Sequence, residues 1–226
     1  MKTTIFAVVG LACSLAAAGP EWIEAGDAGS VPGSAQPVTG GGGPVNKITG
    51  NLTGPSSMPH RIADDFQDVY LIFICDPLAF RATTLPGFNG LASFDSSLWL
   101  FSIDGRGLIA NLDAGPGEPH SFMLNEATDS TGAQVVVPGL YYLAISGAGS
   151  VAVSDPGALD IFDFAVPGEV SGPDGPGGTH PITGWSGPGQ WGHYEIALQG
   201  VCTIVPAPGA VGLLGSFGLL ALRRRR

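Results

Sequence analysis

Between positions 45 and 203 the apolar residues fall in short runs of four to eight, bounded by Gly, Pro, Asn and Asp. That spacing fits strands joined by tight turns, and no long helical periodicity interrupts it. The first run, 45–52, predicts a strand. The next, 68–75 (Asp-Val-Tyr-Leu-Ile-Phe-Ile-Cys), is apolar on both faces, so it predicts a central strand covered on both sides. Pro77 ends it, and 78–84 reads as the following strand. Residues 97–103 close on Asp104-Gly105, a turn signal that leads into 108–111 and predicts a hairpin. Further strands are expected at 121–124, 134–137, 140–146 and 161–165. The last, 193–203, alternates: Tyr194, Ile196 and Leu198 share one face, Glu195, Ala197 and Gln199 the other.

About nine short strands with turns between them predict an all-β domain over 45–204, a β-sandwich or jelly roll. Two stretches lack the pattern. Residues 19–44 are rich in Gly, Pro and Ser, with Gly40 to Gly43 consecutive, and read as a loosely ordered lead-in. Residues 166–192 read as a long Gly/Pro loop carrying Trp185 and Trp191.

The two ends break from this pattern. Residues 1–18 combine Lys2, an apolar stretch over 5–15 and the small-x-small site Ala16-Ala17-Ala18, the three parts of a secretory signal peptide. The mature chain is expected to start near Gly19. At the other end Val205, Pro206, Ala207 and Pro208 precede an apolar segment reaching Leu222, and Arg223, Arg224, Arg225 and Arg226 follow it. Residues 210–222 would make a short hydrophobic helix of about 20 Å, against roughly 30 Å of membrane hydrocarbon. The arginines would stay cytoplasmic and leave the domain outside.

This layout resembles the PEP-CTERM sorting signal of Gram-negative bacteria, with Ala207 where the name-giving Glu stands. The resemblance implies transient residence at the inner membrane, recognition by an exosortase-type membrane protease, and delivery to the surface or extracellular matrix. Exopolysaccharide is a further expected partner.

Composition sharpens the picture. The formal charge is −10, and both signals are basic. Without them Lys47, Arg61, Arg81 and Arg106 face 19 acids, a net charge of −15. Phosphate binding needs clustered Lys and Arg, so nucleic acid is not an expected partner. Divalent cations and neutral polysaccharide remain compatible.

Within the domain, Asp68-Val69-Tyr70, Phe80-x-Ala82-Thr83, Phe94-Asp95-x-x-Leu98-x-Leu100-Phe101-x-x-Asp104-Gly105-x-Gly107 and Pro138-Gly139-x-Tyr141-Tyr142-Leu143-Ala144-Ile145-Ser146-Gly147 are similar to the bacterial pre-peptidase C-terminal (PPC) domain. The likeness covers roughly 45–165. It implies a non-catalytic β-sandwich in a secreted protein.

No catalytic set stands out: His60, His120, His180 and His193 are scattered, with no His-Glu-x-x-His or Gly-x-Ser-x-Gly. Asp95, Asp104 and Asp113 are candidate calcium ligands, or simply turn formers beside Gly. Asp64, Asp65 and Asp68 form a second acidic group. Trp185 and Trp191 are either a platform for sugar rings or a cover over one sheet. Once Cys13 leaves with the signal, Cys75 and Cys202 remain; in an oxidising compartment they are expected to form a disulfide, and otherwise stay as two buried thiols. The expected function is that of a non-enzymatic surface or matrix protein. A carbohydrate-binding or adhesion module is the alternative, and a hydrolase accessory domain a more distant one.

Overall fold

The computed structural model describes residues 20–56 and 64–206. The expected signal peptide over 1–18, the expected helix over 210–222, His60, Arg61, Ala207, Pro208 and the four terminal arginines lie outside the described residues.

In chain order the strands begin with β1 (Glu21–Ile23), β2 (Gln36–Pro37), β3 (Lys47–Leu52), β4 (Gln67–Ile74), β5 (Arg81–Thr83), β6 (Leu91–Ala92), β7 (Ser96–Ser102) and β8 (Gly107–Asn111). They continue with β9 (Phe122–Leu124), β10 (Gly139–Gly147), β11 (Ala152–Ser154), β12 (Leu159–Asp160), β13 (Val170–Ser171), β14 (Ile182–Trp185), β15 (Gly192–Gln199) and β16 (Val201–Cys202). Among the described residues the helical content is three single 3-10 turns, at Pro32–Ser34, Pro77–Ala79 and Pro86–Phe88.

Two sheets face each other, so the fold is an all-β sandwich. The larger runs β13-β8-β7-β10-β4-β16, with β2 added in parallel to β4; the smaller runs β1-β3-β15-β5-β9, with β6 also on β15. The core between them takes alternate residues from both: Tyr70, Ile72 and Ile74 of β4, Leu98 and Leu100 of β7, Leu143 and Ile145 of β10, against Ile48 and Leu52 of β3 and Tyr194, Ile196 and Leu198 of β15. Period-two alternation puts these on one face. The faces expected for the last strand are those observed.

The other face of β4 is covered too, fully at Val69 and partly at Leu71 and Phe73, in keeping with its unbroken apolar run. Val69, Trp99, Phe101, Ala110 and Ala144 project into a second core with Ala152, Ile161, Phe162 and Ile182. A third, small sheet, β12-β11-β14, covers this face. Trp99 is fully enclosed; its ring meets Phe162, Phe164 and Trp185, and its Nε1 donates to Ser146 Oγ at 2.8 Å.

The hairpin of β7 and β8 forms as expected, with Gly105 at φ +81° in its turn. Several expectations need correction. The stretch 166–192 is not a plain loop, because β13 extends the larger sheet and β14 completes the third. The stretch 134–137 makes only an isolated bridge, Gln134 to Glu126, and 161–165 supplies core residues without being a strand. The lead-in is docked: β1 pairs in parallel with β3, β2 with β4, and Ala28 and Val38 are fully buried.

The run 193–203 is two strands in different sheets. Gly200, at φ +75°, lets the chain leave β15 in the smaller sheet and enter β16 in the larger. A left-handed φ suits glycine because no Cβ meets the carbonyl, and a Cβ at position 200 would lie 2.4 Å from the Asp76 carbonyl oxygen.

Candidate functional site

Where the docked lead-in meets β4, the fold assembles a group of acids. Glu24 immediately follows β1; its amide continues the pairing by donating to Thr49 O at 2.9 Å. Its carboxylate turns inward and accepts from Asn51 N (2.9 Å) and Ala28 N (3.1 Å). Residues 25–29 then cross the start of β4: Gln36 bonds both backbone groups of Ala25, and Gly29 O accepts from Val69 N at 2.9 Å. This path brings the exposed Asp27 beside Glu24 and Asp68. One ligand oxygen from each of the three lies within 4.8 Å of the others.

Asp68 is the second residue of β4 and is completely buried. Its Oδ2 accepts from Tyr194 Oη at 2.5 Å, and the Tyr194 hydroxyl is bonded in turn to that of Tyr70. Asp68 Oδ1 has no hydrogen-bond partner. Asp65 stands nearby, its Oδ2 accepting from Thr53 N and Thr53 Oγ1, both at 2.6 Å. Gly50 makes the convergence possible, since a Cβ there would lie 2.2 Å from Tyr194 Oη and 2.8 Å from Glu24 Oε2.

The electrostatics follow from burial among like charges. Burial, then the charge of Glu24, pushes the Asp68 carboxyl up to about 8. Burial also raises Glu24 to about 7, against the lowering effect of its backbone hydrogen bonds. Tyr70 and Tyr194 are pushed upward by burial and then by Asp68, so both stay protonated. The described cations are engaged elsewhere: Lys47 with Glu195, Arg106 with Asp104, and Arg81 over the Phe88 ring.

The candidates read from the sequence are arranged differently. Asp95 and Asp113 line one shallow depression with Gly117, Glu118 and Pro119. Asp104 does not join them. It sits exposed at the hairpin tip, where Ser102 Oγ donates at 2.5 Å and Arg106 Nε at 3.1 Å, and the Ser102 bond holds its carboxyl below the usual range. Asp95, Asp104 and Asp113 therefore do not form one ligand set, because the hairpin carries Asp104 to an ion pair of its own.

Trp185 covers the second core: its ring packs edge-on against Trp99 at 5.7 Å and its Nε1 donates to Ser30 O at 2.6 Å. Trp191 lies beside Gly54 and is 43% exposed. Cys75 and Cys202 form a disulfide between the end of β4 and β16.

Asp68 was visible in the sequence only as one of a local trio, Asp64, Asp65 and Asp68. Glu24 and Asp27 were not singled out. The available signal was a charged residue opening a strand whose both faces are buried, which demands partners from elsewhere in the chain.

No family model, curated protein or solved structure matches the chain.

Proposed function

We propose that the chain is an exported, non-enzymatic β-sandwich module of the bacterial cell surface or extracellular matrix, delivered by residues 1–18 and sorted through 205–226 by an exosortase-type protease. The observation that carries this reading is the Cys75–Cys202 disulfide. Disulfides persist in oxidising compartments and are rare in the cytosol, where thiols are kept reduced. The bridge agrees with the three-part signals at both ends, which the sequence supplies independently.

The three described histidines fit a structural role. His120 is held between Glu118 and Ala92 O, His180 beside Thr179 Oγ1, and His193 beside Glu195. Fractionation of the producing cells tests the reading: the protein belongs in the envelope or medium with Cys75 and Cys202 oxidised. A cytoplasmic pool with free thiols contradicts it, and so does turnover on peptide, ester or glycoside substrates.

A second reading, a carbohydrate-binding module, rests on the exposed ring of Trp191, since aromatic faces stack on the apolar faces of sugars. Binding to a glycan array that Trp191→Ala abolishes would favour it.

A further inference from the structure

We propose that Glu24, Asp27 and Asp68 form a divalent-cation site of the calcium class, whose occupation clamps segment 20–29 to the start of β4. Two oxygens on one Ca2+, each at about 2.4 Å, lie no more than about 4.8 Å apart. One oxygen from each of the three residues already satisfies that limit.

An independent observation points to a ligand. Asp68 is closed to solvent, and its Oδ1, on the carboxylate that joins this group, has no hydrogen-bond partner. A buried acceptor left unmade is costly, and a buried carboxylate more so. A cation shared with Glu24 and Asp27 answers both the bare oxygen and the mutual repulsion, which Lys47, Arg81 and Arg106 do not.

The donor set fixes the class. All three ligands are carboxylate oxygens, with no His or Cys among them, which suits a hard cation over zinc or copper. Calcium accepts irregular shells completed by water, and Asp27 is exposed enough to admit it. Magnesium gives up its waters reluctantly and is usually held by one or two carboxylates, so three converging carboxylates, one of them closed to solvent, suit calcium better. The consequence is mechanical: Glu24 and Asp27 belong to the lead-in, Asp68 to the sandwich, so the ion bridges the two. This site does not depend on where the chain is delivered.

The full chain in detergent, stripped with EDTA, is titrated with CaCl2 by calorimetry and with TbCl3 by luminescence excited through the aromatic side chains. Tyr194, bonded to Asp68, places a phenol next to the ion and serves as the sensitiser. One saturable calcium site is expected, with terbium luminescence that calcium displaces and magnesium binding at least tenfold weaker. Asp68→Asn and Glu24→Gln should each weaken calcium binding at least tenfold, and Asp95→Asn and Asp104→Asn should leave it unchanged. If Asp68→Asn loses its β circular-dichroism signal, Glu24→Gln and Asp27→Asn carry the comparison. Absence of saturable binding in folded wild-type protein, binding that survives these substitutions, loss through Asp95→Asn instead, or magnesium binding as tight as calcium would each overturn the proposal.

Discussion

Removing the disulfide is the perturbation whose size the structure determines best. Cys75 and Cys202 are 127 positions apart, and their Cα atoms lie 5.8 Å from each other. The native arrangement does not rest on the bridge alone: Val201 and Cys202 pair with Ile74 and Phe73, and Gly200 O accepts from Cys75 N at 2.9 Å and Asp76 N at 3.1 Å. The bridge therefore acts mainly on the unfolded chain, by closing a long loop. The chain-entropy relation gives about 5 kcal/mol for a loop of this length at 25 °C. For a domain of this size each 1 kcal/mol moves Tm by about 2–4 °C, so Cys75→Ser/Cys202→Ser should melt about 10–20 °C lower. The unfolded double variant should also be more expanded, which raises the urea m-value. Thermal and urea unfolding followed by circular dichroism read both. A Tm fall of less than about 3 °C, or loss of the β signal before any heating, would refute the reasoning. The first would mean that the closed loop contributes little, the second that the native pairing depends on the bridge.

Three further outcomes follow from the same structure. In calcium-free protein the folded state keeps protons on Asp68 and Glu24, whose carboxyls stand at about 8 and 7 against ordinary values of 3.8 and 4.5. The unfolded chain has released them by then, so their favourable contribution is full below about pH 4 and is lost as pH rises to about 8; urea midpoints should fall from pH 5 to 8, Asp68→Asn should flatten the slope, and a rise would contradict the assignment. Gly200→Ala forces a side chain into a left-handed φ against the Asp76 carbonyl and should cost more than about 1 kcal/mol by urea unfolding; a neutral result would mean that the crossover between sheets relaxes freely. Trp99→Ala empties the centre of the second core and should cost about 3–5 kcal/mol in the same assay; a cost below about 1 kcal/mol would mean that the third sheet is not packed on it.

The long strands were legible because their burial is regular. An apolar run on both faces marks β4, the Asp104-Gly105 turn marks the β7–β8 hairpin, and clean alternation marks β15. The third sheet was not legible, since strands of two to four residues such as 159–160 and 182–185 are too short to show a period. The docking of the lead-in was hidden for a related reason. Its order comes from parallel backbone pairing with β3 and β4, from the Gln36 side chain and from the isolated buried residues Ala28 and Val38, none of which leaves a periodic hydrophobic pattern. The acidic group was half legible: Asp68 stands out in a buried strand, but its neighbours Glu24 and Asp27 lie more than 40 positions away and are brought to it by the path of the chain.

Export followed by sorting would be recorded in the two ends of the mature protein. Intact-mass and C-terminal peptide analysis of protein recovered from the envelope and medium of the producing cells reads both. Exported and sorted protein is expected to start near Gly19, end near 206–208 and lack Arg223 to Arg226, with the cysteines bridged. A chain recovered with an intact C-terminal peptide ending in four arginines, or one that retains residues 1–18, would contradict it.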